Sequence, residues 1–389
     1  MRRKREGGRR RIPRGVRPFA VRACAWGAAL GSGLMGGPGA VHAEPPAAPA
    51  PGWGVYAVAR TETFTNGLPV FALDGDWSRG YTPTGGDLRG WQAARAELGL
   101  DWRGWRIGAL ARGEAYLRLS DGAGRLAYTY QQRRDPAQPA VEDAGAEFLR
   151  WVGYGASLHS APLRWALGAS AWTAASRLDL MRLTRLRWAQ TEGSVSLDGS
   201  GGYGFDVRYV ETSSTRHAPF MRPPEPHGQG QSLSVALQGE GLAWRMRLAV
   251  EDAWSHLAWD GLNVQQAGAD SDTAQRTPEG YVNYAPLVQG FDARRSVRDR
   301  IPINTVLDLA WKRPEGEWRL TASERYGLVQ TWLGYASPGP LSWRLAFEPR
   351  AGATELGLAW SGLEIALGAD RLDSAAHVRR ARVSWRAGL

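Results

Sequence analysis

The chain is 389 residues long, 43% hydrophobic and 22% charged, with a formal net charge of +10. Ten basic residues and one acid fall within the first 43 positions, so the remainder is close to neutral and nucleic acid is not an expected partner. The one cysteine, Cys24, lies in the same segment, and no run of about 20 apolar residues follows it; disulfides, thiolate chemistry and spanning helices are thereby excluded from residue 44 onward.

Residues 1–43 read as a secretory signal peptide, with an arginine-rich start, a small apolar stretch from Ala23 to Gly37, and Val41-His42-Ala43 before Glu44. The basic start is long enough to fit a true start codon further in. Arg22 argues against lipoprotein processing at Cys24. Residues 44–52 form a flexible leader, and 53–389 form one domain.

From there the chain reads as strands with period-2 alternation. Ala94, Ala96, Leu98, Leu100 and Trp102 share one face; after Arg103-Gly104 the pattern resumes through Trp105, Ile107, Ala109 and Ala111 to Leu119, with Arg106, Arg112, Glu114 and Arg118 opposite. Leu233, Val235 and Leu237 lead through Glu240-Gly241 to Leu242, Trp244, Met246, Leu248 and Val250. Thr305 to Trp311 and Trp318 to Ala322 flank a turn at Pro314, and Leu356 to Trp360 and Leu363 to Ala369 flank Ser361-Gly362. The last segment alternates Ala381, Val383, Trp385, Ala387 and Leu389 with Arg382, Ser384, Arg386 and Gly388.

Tryptophans cluster at these turns: Trp102 and Trp105, Trp311 and Trp318, Trp360, and Trp165, Trp244 and Trp343 just beyond others. Amphipathic rings gathered at one end of the strands suit a membrane interface. Short turns near 103, 161, 200, 240, 314, 339 and 361 imply about sixteen strands, with fourteen to eighteen compatible because 178–189 and 326–336 are ambiguous. Long connections are expected at roughly 66–91, 120–145, 175–187, 213–230 and 255–302. The expected fold is all-β: a closed antiparallel transmembrane β-barrel with short periplasmic turns and long outer loops.

On the export signal, the alternating strands and the terminal segment, the chain resembles the porin-like class of bacterial outer-membrane β-barrels. Leu389 stands where that class ends in an aromatic residue. The resemblance implies a Gram-negative outer-membrane location and insertion by the outer-membrane assembly machinery. It also implies contact with membrane lipid and lipopolysaccharide, and leaves a homotrimer open.

The function expected is passive diffusion of small polar solutes through a lumen lined by Arg95, Arg106, Arg112, Arg118, Arg208, Arg245, Arg247, Arg319, Arg344 and Arg382, with Arg386, against Glu97, Glu114, Asp206, Glu251 and Asp308, with Asp101, Glu364 and Asp370. Lys4 and Lys312 are the only lysines, so the positive lining is guanidinium, suited to carboxylate or phosphate. Residues 255–302 are the candidate constriction, with Asp270 and Asp272, aromatics at Tyr281, Tyr284 and Phe291, and a basic run at Arg294, Arg295, Arg298 and Arg300. Two other readings stay open: a surface hydrolase built on Asp252, His256 and Asp260, and a structural or adhesive barrel. No cofactor and no metal site is expected, since His217, His227 and His377 lack ligand spacing.

Overall fold

The computed structural model describes residues 52–388 except 71–80, 84, 133–137, 200–201, 218–222, 224, 273, 277–281, 285–286 and 374. The expected signal peptide, most of the leader, Tyr281 and Leu389 lie outside the described residues. In chain order, β1 (Trp53–Thr65), β2 (Leu88–Trp102) and β3 (Trp105–Leu119) lead to a helix, α1 (Asp121–Gln132), and a short β4 (Ala140–Asp143). Next come β5 (Ala146–His159), β6 (Leu163–Leu167), the 28-residue β7 (Ser170–Leu197), β8 (Tyr203–Ser213), β9 (His227–Glu240) and the 27-residue β10 (Trp244–Asp270). A small pair, β11 (Ala274–Arg276) and β12 (Val282–Tyr284), precedes β13 (Val288–Asp299). The chain closes with β14 (Asn304–Arg313), β15 (Gly316–Arg325), β16 (Leu328–Ala336), β17 (Leu341–Glu348), β18 (Ala353–Trp360), β19 (Leu363–Ala369) and β20 (Val378–Gly388).

Fourteen of these form a closed antiparallel barrel, in the order β1, β2, β3, β5, β7, β9, β10, β14, β15, β16, β17, β18, β19, β20 and back to β1. The count is at the lower bound of the expected range. The alternating terminal segment is β20, which seals the sheet against β1 from Gly54–Gly388 to Phe64–Val378 and so removes its free edges. No helix among the described residues is long and apolar enough to cross a membrane.

The apolar faces point outward. On β5, Leu158, Ala156, Tyr154 and Val152 occupy the outer positions before Arg150; at ~3.3 Å per residue and a ~40° tilt they cover about 20 Å, close to the ~25 Å apolar band of outer-membrane barrels. Nine tryptophans, Trp53, Trp102, Trp105, Trp165, Trp311, Trp318, Trp343, Trp360 and Trp385, ring the short-turn end and are 42–62% exposed, as an interfacial girdle requires. Two-residue hairpins at Arg103-Gly104, Tyr326-Gly327 and Ser361-Gly362 have positive φ at both positions, the geometry that matches strand twist.

Four expectations about connections need correction. Residues 175–187 are not a loop: they lie in β7, whose far half continues beyond the barrel. The turn near 200 sits at the tip of that extension, joining β7 to β8, and not among the short turns at the tryptophan end. Residues 160–162 are not a turn: β5 and β6 run in line against β7, and the chain reverses at Gly168-Ala169. In the segment 326–336, which the sequence left ambiguous, a left-handed Tyr326 and Gly327 make a tight hairpin at the far end. The span 255–302 is mostly strand: β10 continues to Asp270, and β13 returns alongside it.

The result is a lopsided wall. β8 is collinear with β9, filling the space between β7 and β10 above it, and β13 is collinear with β14. With β4 on the outer edge of β7, a five-stranded blade (β4, β7, β8, β10, β13) stands above one side of the barrel. Helix α1 begins where the Ser120 hydroxyl caps the Ala123 N–H, and packs near Leu68, Tyr81, Leu88 and Leu119 at the mouth.

Candidate functional site

Interior positions alternate with the lipid-facing ones, and here they carry charge. At mid-height β10 departs from regularity: pairing with β9 runs to Val250–Val235 and resumes at Trp254–Leu233, so four steps on β10 match two on β9. Asp252, with φ 57°, absorbs the bulge. Neighbours on a regular strand point to opposite faces, but this bulge turns both Glu251 and Asp252 inward, 2% and 1% exposed.

Two carboxylates buried side by side require cations. Arg112 from β3 grips Asp252 with two hydrogen bonds, 2.7 and 2.5 Å, and reaches Glu114 at 2.5 Å. Arg60 from β1 and Arg325 from β15 meet Glu251 at 2.8 and 3.1 Å. Arg95 from β2 holds Asp179 of β7 at 2.6 and 2.9 Å and Glu97 at 2.7 Å, while Arg177 flanks Asp179 at 3.4 Å. Glu97 also accepts from Tyr56 and Ser157, both at 2.5 Å, with His159 Nε2 at 2.7 Å. Arg60, Arg95, Arg112, Arg177 and Arg325 thus balance Glu97, Glu114, Asp179, Glu251 and Asp252. β1 and β10 stand almost opposite each other in the ring, so the Arg60–Glu251 pair spans the lumen.

Apolar clusters flank this lattice. On one side Leu110, Trp151, Met181, Leu183, Leu257, Trp259 and Leu262 pack together; on the other, Phe64, Trp91, Leu328, Trp332 and Val378 do. Arg325 and Arg380 lie over Trp91 and Trp332, with guanidinium carbons 5.1 and 4.3 Å from the ring centroids.

Among the described residues, a row of cavities lies against β10 and β14–β19. A cavity of about 190 Å³ is lined by Arg245, Arg247, Arg319 and Arg344 with Asp308 and Glu364. A second, about 50 Å³, shares Arg319 and Arg344 with it and adds Glu62, Glu355, Arg380, Trp91 and Trp332. A third, about 20 Å³, shares Glu62 and Asn304 with the second and ends among Arg60, Arg112, Glu114, Glu251 and Arg325. The three form a row that tapers from the short-turn end to the ionic lattice. Buried Arg344 Nε makes no hydrogen bond among the described residues, and Arg247 Nη1 has only the Asp308 carboxylate at 3.5 Å; buried donors of this kind are normally satisfied by water or an anion.

The sequence-derived candidates therefore separate into groups. Arg95, Arg112, Glu97, Glu114 and Glu251 belong to the closed lattice; Arg245, Arg247, Arg319, Arg344 and Asp308 line the 190 Å³ cavity. Arg106 and Arg386 both pair with Asp101, at 3.1 and 2.5 Å, and Arg382 pairs with Glu364. Arg118 is exposed at the far rim, 2.8 Å from Asp87. Asp370 sits in the β19–β20 connection and accepts the backbone N–H groups of His377 and Val378, each at 2.9 Å. Asp206 and Arg208 are corrected: both are exposed on β8, in the blade above the barrel rather than in the lumen. The candidate constriction is corrected too. Asp270 and Asp272 are exposed at the tip of the blade, and Arg294, Arg295 and Arg298 are exposed on edge strand β13, with Arg300 just beyond it. Nor does the proposed hydrolytic cluster assemble. Asp252 is buried against Arg112, while His256, on the same side of β10 as the half-exposed Trp254, faces outward with Asp260.

Arg60, Arg177, Asp179, Arg325 and the inward turn of Asp252 were missed. Asp179 fell in a segment read as loop, and a two-residue bulge leaves the alternation on either side in phase, so the sequence carried no sign of it.

No protein-family model matches the chain, and no curated protein matches it in sequence. Among solved structures it is similar to a deltaS2S3 mutant of the monoaromatic hydrocarbon channel TodX, at 11% identity over 88% of this chain and 91% of that one, with a TM-score of 0.43. The siderophore receptor PirA from Pseudomonas aeruginosa aligns at 8% identity over 87% of this chain and 81% of that one, with a TM-score of 0.17. Likenesses this distant carry no solute or mechanism across; the barrel stands on its own strand pairing.

Proposed function

We propose that the protein is an outer-membrane channel for small polar solutes, favouring anions, whose conduit runs along the β10 and β14–β19 sector and rests closed. The tapering row of arginine-lined cavities carries this reading. Charges on the opposite side balance one for one in a dry lattice, whereas here six arginines, Arg245, Arg247, Arg319, Arg344, Arg380 and Arg382, line or flank the cavities against five carboxylates, Glu62, Asp308, Glu317, Glu355 and Glu364. Guanidinium groups in such a conduit favour carboxylates, phosphates and halides over cations. The tryptophan girdle and short turns face the periplasm in this reading, and the blade faces outside.

The seal is Trp332, which lines the second cavity and is 3% exposed. Planar-bilayer recording of the refolded chain under a salt gradient tests the proposal. Wild type is expected to give small or infrequent steps with an anion-directed reversal potential, and Trp332→Ala larger or more frequent ones. Silence from both chains, shown folded by heat-modifiable gel migration, would sink the channel reading, as would a reversal potential of cationic sign.

A further inference from the structure

Immediately above the apolar band, the outer face of the wall carries arginines where a lipid-facing strand would ordinarily continue with small or aromatic residues. On β7 the outward row passes from Leu180, 48% exposed, directly to Arg182. A single-residue bulge follows: Val152 and Gly153 of β5 pair with Arg185 and Leu183, so Thr184 and Arg185 are both exposed. Arg150 stands on the adjacent strand, next above Val152. On β13, Val297 packs toward the buried cluster and Ile301 is 2% exposed, which turns Arg298 and Arg300 to the outer face.

These two groups are in register. Arg182 pairs with Gln229 of β9, Gln229 with Ala258 of β10, and Ala258 with Arg298 of β13. Three strand spacings of ~4.8 Å separate the two arginines, about 14 Å along a row that the ~40° strand tilt inclines to the membrane plane. Between them lie only a neutral amide and a methyl group, leaving a shallow trough with a guanidinium on each bank. Among the described residues, Arg182, Arg185, Arg298 and Arg300 form no ion pair, so their side chains are not committed to the protein. The nearby acids are largely engaged: Glu211 is held by Arg187 and Arg216 at 2.8 and 3.3 Å, and Asp299 accepts the Arg300 backbone N–H at 2.7 Å. Asp260 is the acid left on the outward row. Below the trough, Tyr154 and Trp254, each 50% exposed, with Leu180 offer an acyl-chain surface.

We propose that this trough binds the phosphorylated headgroup of lipopolysaccharide, with Arg182 and Arg185 of β7 taking one phosphate and Arg298 and Arg300 another, while the acyl chains lie on the apolar band beneath. The proposal rests on the outer-membrane reading above and on its orientation, blade outward. Paired guanidinium groups bind phosphate through parallel hydrogen bonds, and two such sites at the ends of a trough select a headgroup carrying two phosphates over one carrying a single phosphate.

The test is retention of lipid by the refolded full barrel, read by native mass spectrometry with lipopolysaccharide, with the same lipid after phosphatase treatment, and with phosphatidylglycerol. Wild type is expected to retain the first and not the other two. Arg182→Glu with Arg298→Glu is expected to lose about tenfold or more of that binding, whereas Arg164→Glu, exposed at the tryptophan end, is expected to lose none. Equal retention of dephosphorylated lipid, equal retention of phosphatidylglycerol, or unchanged binding by the double variant would each overturn the assignment. Liposome insertion and heat-modifiable migration of the same samples separate the two failures: an inserted, folded barrel without lipopolysaccharide binding refutes the trough and leaves the barrel reading standing.

Discussion

Replacing Arg112 by Met tests whether the ionic lattice holds the barrel closed. The Arg112 side chain is 3% exposed, makes a two-bond pair with Asp252, reaches Glu114, and lies over the Trp151 ring at 5.4 Å. The loss is unequal among its partners. Asp179 keeps both bonds from Arg95, and Glu114 keeps Tyr326 at 3.1 Å and Arg325 at 3.6 Å. Among the described residues, Asp252 keeps only the Ser232 hydroxyl. One buried carboxylate is therefore stranded, which costs about 3–5 kcal/mol; Coulomb's law at 4 Å and an effective dielectric of 20 also gives about 4 kcal/mol. Adding Asp252→Asn removes the stranded charge, so the double variant is expected to be more stable than Arg112→Met alone, with a coupling of at least about 2 kcal/mol. Urea unfolding in lipid vesicles, followed by tryptophan fluorescence and gel migration, measures all four corners of the cycle. A single variant within about 1 kcal/mol of wild type, or additive single effects, would refute the view that the lattice is a set of mutually dependent buried charges.

Gly108→Ala is expected to destabilise by about 2 kcal/mol, because its Cβ would stand 2.6 Å from the Tyr56 hydroxyl and dislodge the bond to Glu97; tyrosine fluorescence or ultraviolet difference spectra alongside unfolding would register the displacement. Burial alone would raise the Asp370 carboxyl, but hydrogen bonds from His377 and the Val378 backbone outweigh it and hold it below its ordinary 3.8. Its stabilisation is thus complete above that ordinary value and fades as pH falls through the lower folded value, so Asp370→Asn should cost about 1–2 kcal/mol at pH 7 and nothing in strong acid; a difference in unfolding midpoint that persists unchanged at low pH would contradict this. Arg245→Gln with Arg319→Gln removes two charges from the 190 Å³ cavity and frees their shared partner Glu317, without touching the lattice, and should move the reversal potential toward cation passage. No movement in a salt gradient would mean that these side chains do not set selectivity.

Local repetition made the outer surface legible. Lipid demands an apolar residue at every second position, the girdle demands amphipathic rings at the strand ends, and tight hairpins demand left-handed residues; each signal is complete within about ten residues, so Trp102-Arg103-Gly104-Trp105 declares itself alone. The side on which a turn lies is not local. Gly199 and Gly362 mark turns of similar composition, yet one tips the blade and the other joins strands in the girdle, and only the full pairing order distinguishes them. The same limit affected β7, whose outward arginines Arg182 and Arg185 broke the apolar alternation and read as a loop.

From the sequence alone came the all-β class, the alternation of apolar and charged faces, and the arginine character of the interior, because each depends on which residue types recur two apart. Whether that interior conducts, binds or packs depended on tertiary structure. Arg60 and Glu251 are 191 positions apart, and Arg112 and Asp252 are 140 apart. Their meeting is decided by ring order, register and a bulge that turns two adjacent carboxylates the same way. Charges free to face water along one strand become, once fourteen strands close around them, either partners in a dry lattice or the lining of a cavity.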